Sequence, residues 1–270
     1  MKLELGISSW TFPWAVGVQG FLPKEPLDAM GLMLIAKKMG VSRVQIADNL
    51  PLHNLNHQQL TELKENCSHY GIAIEVGTKG VEPGHLLQYL DIANKLGSKS
   101  IRTLTHSNEN RPNLSMVESW VKQVIPSFEQ AGVTLAVENY ESFSVKEFAG
   151  LIEEVGSEFF GICLDTVNSM GALESPQEVV KTLAPHVKNL HIKEFAITRV
   201  ANGMGFHIGG RPVGDGMLNV RMILEEIEKA GKAPTVILEQ WPPFLETIDE
   251  TMELEMEWAQ QSINYLKEIM

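Results

Sequence analysis

The chain has 270 residues, of which 44% are hydrophobic, two cysteines and a formal net charge of -12. This length and apolar content suit one α/β barrel and exclude a fibrous or disordered protein. The acidic balance, with no cluster of Lys and Arg, speaks against nucleic-acid binding.

Short β-rich runs alternate with longer amphipathic stretches along the whole chain. In order, the runs are LELGISS from Leu3, RVQIA from Arg43, IAIEVG from Ile72 and SIRTLTH from Ser100, followed by VTLAVEN from Val133, FFGICLDT from Phe159, VKNLHIKEF from Val187 and TVILEQW from Thr235. Between them lie helical patterns such as LDAMGLMLIAKKMG, GHLLQYLDIANKLG and VKEFAGLIEEVG, each ending on the Gly that a helix C-terminus favours. Eight such units without a linker predict a single (β/α)8 TIM barrel over residues 1–270. No apolar run approaches the roughly 20 residues of a membrane helix, and the opening MKLELGISSW reads as a strand, not a signal peptide. Cys67 and Cys163 lie far apart in dissimilar segments, which predicts a reducing, cytoplasmic setting and a soluble protein.

A strand's side chains alternate between faces, so the apolar members of each run fix which residues point into the barrel. Leu135 and Val137, Ile162 and Leu164, Leu190 and Ile192, and Val236 and Leu238 face the helices. Residues of opposite parity then face inward: Glu138, Cys163, Asp165, Asn189, His191, Lys193 and Glu239. In the earlier strands, Gln45, Asn49, Glu75, Arg102 and His106 take the same side. Glu75 and Arg102 are expected to pair as a structural support under the site, because a buried charge needs a partner.

Glu138, Asp165, His191 and Glu239 thus fall at or near the C-terminal ends of four successive strands, where active sites of this fold lie. Three carboxylates and one imidazole make a donor set for one divalent cation, with positions left for substrate. Without a cation the carboxylates would crowd like charges together.

These segments resemble the xylose-isomerase-like barrels of the sugar phosphate isomerase/epimerase family. The likeness is carried by AVENY around Glu138, ICLDTVNSMG around Asp165, NLHIKEF around His191, VILEQW around Glu239, and GRPVGDGMLNV from Gly210. It implies that the four residues hold one metal, usually manganese, with zinc, cobalt or magnesium as alternatives. It also implies that Glu138 and Glu239 form the acid–base pair of a sugar isomerase or epimerase working through an enediolate on a small polyhydroxy carbonyl compound. A metal-dependent dehydratase or lyase of the same group is the alternative, and a catalytically silent ligand-binding barrel is a third. Homodimers or homotetramers are common in the group.

The chain departs from the pattern in places. Asn168 stands where the epimerases commonly have His; it can hydrogen-bond a substrate oxygen but cannot shuttle a proton. The related endonucleases need further histidines, and only His106 and His207 are spare. The epimerase arginine after the strand-seven His has no match at its offset, Arg199 being the nearest substitute. Lys193 can hold a substrate oxygen or phosphate, or brace Glu239. Arg199, His207 and Arg211 are expected in a loop of some twenty residues, where they suit an anionic substrate group or simply solvent. Trp10, in SSWTFPW, can stack on a sugar or pack the barrel lip.

Overall fold

Apolar residues at every second position, Leu135 and Val137, Ile162 and Leu164, Leu190 and Ile192, are fully buried against the helices, and this alternation builds the barrel wall. The structure is a computed structural model and describes residues 3–270. Its strands are β1 (Glu4–Ser8), β2 (Arg43–Ile46), β3 (Ala73–Lys79), β4 (Ser100–Leu104), β5 (Thr134–Glu138), β6 (Phe160–Asp165), β7 (Val187–Ile192), β8 (Glu194–Arg199), β9 (Phe206–Arg211) and β10 (Thr235–Leu238). The helices are α1 (Pro13–Val16), α2 (Ala29–Met39), α3 (His57–His69), α4 (Pro83–Leu96), α5 (Leu114–Ala131), α6 (Val145–Val155), α7 (Pro176–Leu183), α8 (Val220–Lys229) and α9 (Ile248–Ile269).

Eight parallel strands close in the order β1-β10-β7-β6-β5-β4-β3-β2, giving a (β/α)8 barrel with helices outside. The helices start and stop where the sequence chemistry asks. Ser144 and Glu147 form a capping box on α6, and Gly156 ends it at φ 66°, a left-handed conformation that a side chain would resist. The inward face of α6 presents Val145, Phe148, Leu151 and Ile152 to the wall. Burying each such side chain is worth about 1.5–3 kcal/mol.

Register sets the height of the functional residues. A shift between Ile162 and Cys163 brings Asp165 opposite His191, and His191 in turn lies opposite Ile237. Below them the barrel interior is polar. Gln45 Nε2 donates to Glu75 Oε2 at 3.1 Å and to Asn189 Oδ1 at 3.0 Å, and Asn189 Nδ2 donates to Glu75 Oε2 at 2.9 Å.

Two expectations are corrected here. Glu75 does not pair with Arg102; its partners are the two amides, with Arg43 Nη1 at 3.8 Å. Arg102 instead reaches upward to Glu138 and Asp48. The segment after the seventh barrel strand is no open loop either. It folds as an antiparallel hairpin of β8 and β9, with Ile197 opposite Ile208 and Arg199 opposite Phe206. Buried Glu194 staples its base, accepting backbone N–H groups from Phe195 and Leu218, each at 2.9 Å. Gly216 has to be glycine there, since a Cβ would come within 2.3 Å of the Glu194 carboxylate.

Candidate metal centre and active site

Glu138 ends β5, Asp165 ends β6, His191 is the penultimate residue of β7, and Glu239 follows β10 directly. All four are at most 1% exposed, and one ligand atom from each lies within 4.8 Å of all the others. The side-chain alternation of four neighbouring strands therefore converges as expected.

Each donor is aimed by its neighbours. Asp165 Oδ1 accepts the Val167 and Asn168 backbone N–H groups at 2.8 Å each, which leaves Oδ2 for the cavity. Asn139 clamps the same strand end, accepting the Asp165 N–H at 2.7 Å. Ser8 Oγ donates to Glu239 Oε1 at 3.1 Å and leaves Oε2 facing Lys193 Nζ, 2.9 Å away. His191 Nε2 lies 2.8 Å from Gln45 Oε1. Both Gln45 amide hydrogens are committed below, so its oxygen must accept from Nε2–H and the Nδ1 lone pair turns to the carboxylates. Nδ1 stands 3.4 Å from Glu138 Oε2 and 3.3 Å from Glu239 Oε1.

The outcome at this site is three buried atoms without a hydrogen-bond partner among the described residues: Asp165 Oδ2, His191 Nδ1 and Glu239 Oε2. Native interiors rarely leave such atoms unpaired. Lys193 Nζ approaches two of them, at 2.8 Å from Asp165 Oδ2 and 2.9 Å from Glu239 Oε2, as ion pairs outside hydrogen-bonding geometry. Orphaned carboxylate oxygens beside an orphaned imidazole nitrogen fit a divalent cation.

Charge coupling in the site is strong. Burial lowers the Lys193 pKa, but Asp165, Glu239 and Glu138 more than reverse this and hold the ammonium charged. Burial raises that of Glu239, yet His191 and Lys193 pull it well below the carboxylate range. For His191, burial is again opposed, here by Glu239 and Glu138, and the net shift is upward.

Glu138 differs from its fellows. Its Oε2 accepts from Arg102 Nε, and its Oε1 accepts from Asn168 Nδ2 at 2.7 Å. Arg102, 3% exposed, also donates to Asp48 Oδ1 at 3.0 Å and to the Thr78 carbonyl at 3.1 Å.

Above the donors opens a cavity of about 260 Å³, lined by Trp10, His106, Tyr140, Asn168 and Lys193 among others. Four of the proposed substrate-binding residues thus gather at one place. Trp10 is tethered there by Nε1 to Asp48 Oδ1 at 3.2 Å. Arg199, His207 and Arg211 do not line this cavity but sit on the β8–β9 hairpin. Arg199 lies over the Phe206 ring at 4.4 Å. Sequence reasoning passed over Asp48, Lys79 and Tyr140, which also line the cavity. Their signal was present: each is a polar residue at, or two positions beyond, the C-terminal end of a barrel strand.

Comparison with known proteins gives a consistent picture. The chain is 31% identical over 264 residues, 98% of its length and 95% of the relative's, to 3-oxo-isoapionate decarboxylase of Pectobacterium atrosepticum. Its structure matches D-psicose 3-epimerase of Clostridium cellulolyticum with a TM-score of 0.76 at 16% identity, covering 99% of both chains. It also matches a xylose isomerase-like TIM barrel protein of Mycobacterium smegmatis in complex with magnesium, with a TM-score of 0.69 at 15% identity, covering 98% of this chain and 97% of that one. The description "xylose isomerase-like TIM barrel" fits residues 33–269, and with the barrel order and the four convergent donors it places the chain in that family.

Proposed function

We propose that this chain is a divalent-metal-dependent lyase that decarboxylates a small polyhydroxy 3-oxo acid through an enediolate. The observation that carries this reading is the state of Glu138. Epimerisation needs two groups, one to take a proton from a carbon and one to return it from the other face. Arg102 and Asn168 donate to both Glu138 oxygens, so each is already committed and neither is placed to take a proton from a carbon. Loss of CO2 from a 3-oxo acid needs no such base. The bond between the carboxyl carbon and C2 breaks, its electron pair forms the C2–C3 double bond, and the oxo oxygen takes the charge. One proton then adds at C2 and the carbonyl is restored. The resemblance over nearly the whole chain to a 3-oxo acid decarboxylase supports the same reaction class.

When held by Glu138, Asp165, His191 and Glu239, a divalent cation supplies Lewis-acid stabilisation of the developing oxyanion. The oxygen-rich donor set suits manganese or magnesium. Lys193 Nζ, held charged between Asp165 and Glu239, donates to the same oxygen and is the group that brings a proton to C2. Asn168 Nδ2 restrains Glu138, while its Oδ1 lies 3.4 Å from Lys193 Nζ. Trp10 and Tyr140 form part of the cavity wall.

A second reading, isomerisation or epimerisation of a neutral sugar, is favoured by one observation: Glu138 and Glu239 flank His191 Nδ1 almost symmetrically. A screen of four- to six-carbon 3-oxo sugar acids and ketoses in D2O, with metal added, separates the two. CO2 release with one deuterium fixed at C2 supports decarboxylation. Deuterium exchange into a neutral ketose, with no CO2 from any acid, overturns it.

A further inference from the structure

We propose that Lys79, His106 and Tyr140 form a carboxylate subsite on the β3 and β4 side of the cavity, which selects acidic over neutral polyhydroxy substrates. The proposal deepens the decarboxylase reading and rests on it.

His106 provides the first observation. It is 6% exposed, lines the cavity, and its buried Nδ1 has no hydrogen-bond partner among the described residues. Its ring packs against Tyr140 with centroids 5.2 Å apart. An unpaired buried nitrogen at a cavity wall is a group whose partner arrives with a ligand.

Lys79 provides the second. Its Nζ donates to Asn108 Oδ1 at 2.8 Å, and among the described residues no carboxylate lies within ion-pairing distance. The contrast with the other two cations of the cavity is sharp. Lys193 and Arg102 each touch two carboxylates, so their charges are already answered. Lys79 is the cation at this wall left to answer an incoming one.

The local field agrees. Burial, then the Lys79 and Arg111 charges, outweigh Glu141 and Asp48 and hold the His106 pKa below its ordinary value, so the ring is neutral at neutral pH and offers one N–H. A chain of net charge -12 repels anions at long range, and Lys79 is the charge on this wall that attracts one at short range. A substrate whose oxo end met a cation held by the four donors would thus extend its carboxylate towards β3 and β4.

The test is calorimetric titration of the metal-loaded protein with D-erythronate, a sugar acid lacking the 3-oxo group, and with erythritol as its neutral counterpart. Erythronate is expected to bind about tenfold or more tightly than erythritol, as a charge-assisted contact implies. Lys79→Met should weaken erythronate by about tenfold and leave erythritol unchanged, while Lys79→Arg retains most of the affinity. His106→Gln, which keeps a buried hydrogen-bonding group, should weaken erythronate less than Lys79→Met does. Unchanged erythronate affinity in Lys79→Met would mean that the bound metal alone holds the acid, and the proposal falls; equal wild-type affinity for the two probes overturns it as well. If Lys79→Met loses erythronate but no 3-oxo acid is decarboxylated, the subsite stands and the decarboxylase reading fails.

Discussion

The barrel interior holds two buried polar layers, one residue pair apart on β7. The lower layer joins Gln45, Glu75 and Asn189; the upper joins Glu138, Asp165, His191 and Glu239. Both are sealed from solvent, yet they differ in how their hydrogen bonds close. In the lower layer two amides satisfy Glu75, and Asn189 passes a further bond to Thr235 Oγ1 at 2.6 Å. In the upper layer Asp165 Oδ2, His191 Nδ1 and Glu239 Oε2 find no hydrogen-bond partner among the described residues, and only the Lys193 ammonium pairs with the two oxygens. A closed polar network stiffens a fold, whereas a half-open one is a place kept for a ligand. Burial and charge alone would not have separated the two.

The largest effects should come from the open layer. Asp165→Asn or Glu239→Gln is expected to lower kcat by on the order of 10³-fold or more, measured on whichever acid is turned over. Exhaustive chelation should abolish turnover, and manganese or magnesium should restore it. Metal at about 100 times its Kd should raise Tm by about 5–10 °C, since binding adds about 2.7 kcal/mol. Activity that survives chelation would erase the distinction between the layers.

Lys193→Met sharpens the comparison by splitting two quantities. It should cost on the order of 10²–10³ in kcat, while metal affinity should rise because the ammonium no longer occupies Asp165 Oδ2 and Glu239 Oε2. An unchanged kcat would remove Lys193 from the chemistry.

Gln45 touches both layers, and Asn189 only the lower one. Gln45→Leu frees the His191 ring and should weaken metal binding by about 10–100-fold. Asn189→Leu should leave metal affinity nearly unchanged while costing about 1–3 kcal/mol of stability, read by denaturant titration. Equal effects on the metal would show that the two layers act as one.

Glu255 on α9 offers the mildest test, a buried carboxylate away from both layers. It accepts the Trp14 and Ala15 backbone N–H groups at 2.9 and 3.0 Å. Burial raises its pKa to about 8, against the N–H bonds that lower it. The folded state therefore holds a proton that the unfolded chain has lost. The corresponding stability is full below the unfolded value of 4.5 and is lost as pH rises through about 8. Tm should decline between pH 5 and 9, and Glu255→Gln should flatten that decline; an equal decline in the variant would reject the assignment.

Much of this was legible in the chain. The parity of Leu135, Ile162, Leu190 and Val236 against Glu138, Asp165, His191 and Glu239 is local chemistry, because a strand's two-residue period needs no partner to be read. Register and partnership were not legible. The Arg102 side chain is long enough to reach down to Glu75 or up to Glu138, and only the neighbouring strands decide which acid meets it. The hairpin carrying Arg199, His207 and Arg211 was hidden because its strands pair with each other outside the barrel, where no buried face imposes alternation.

The sequence by itself determined the eight staves, the inward side of each, and the acids and imidazole that crown four of them. The tertiary structure alone decided that these side chains meet, that Lys193 stands among them and Arg102 engages Glu138, and that His106 and Lys79 line the same cavity. The physical reason is distance: periodicity acts between residues two apart in the chain, while charge compensation acts between atoms that only chain closure brings within a few ångströms.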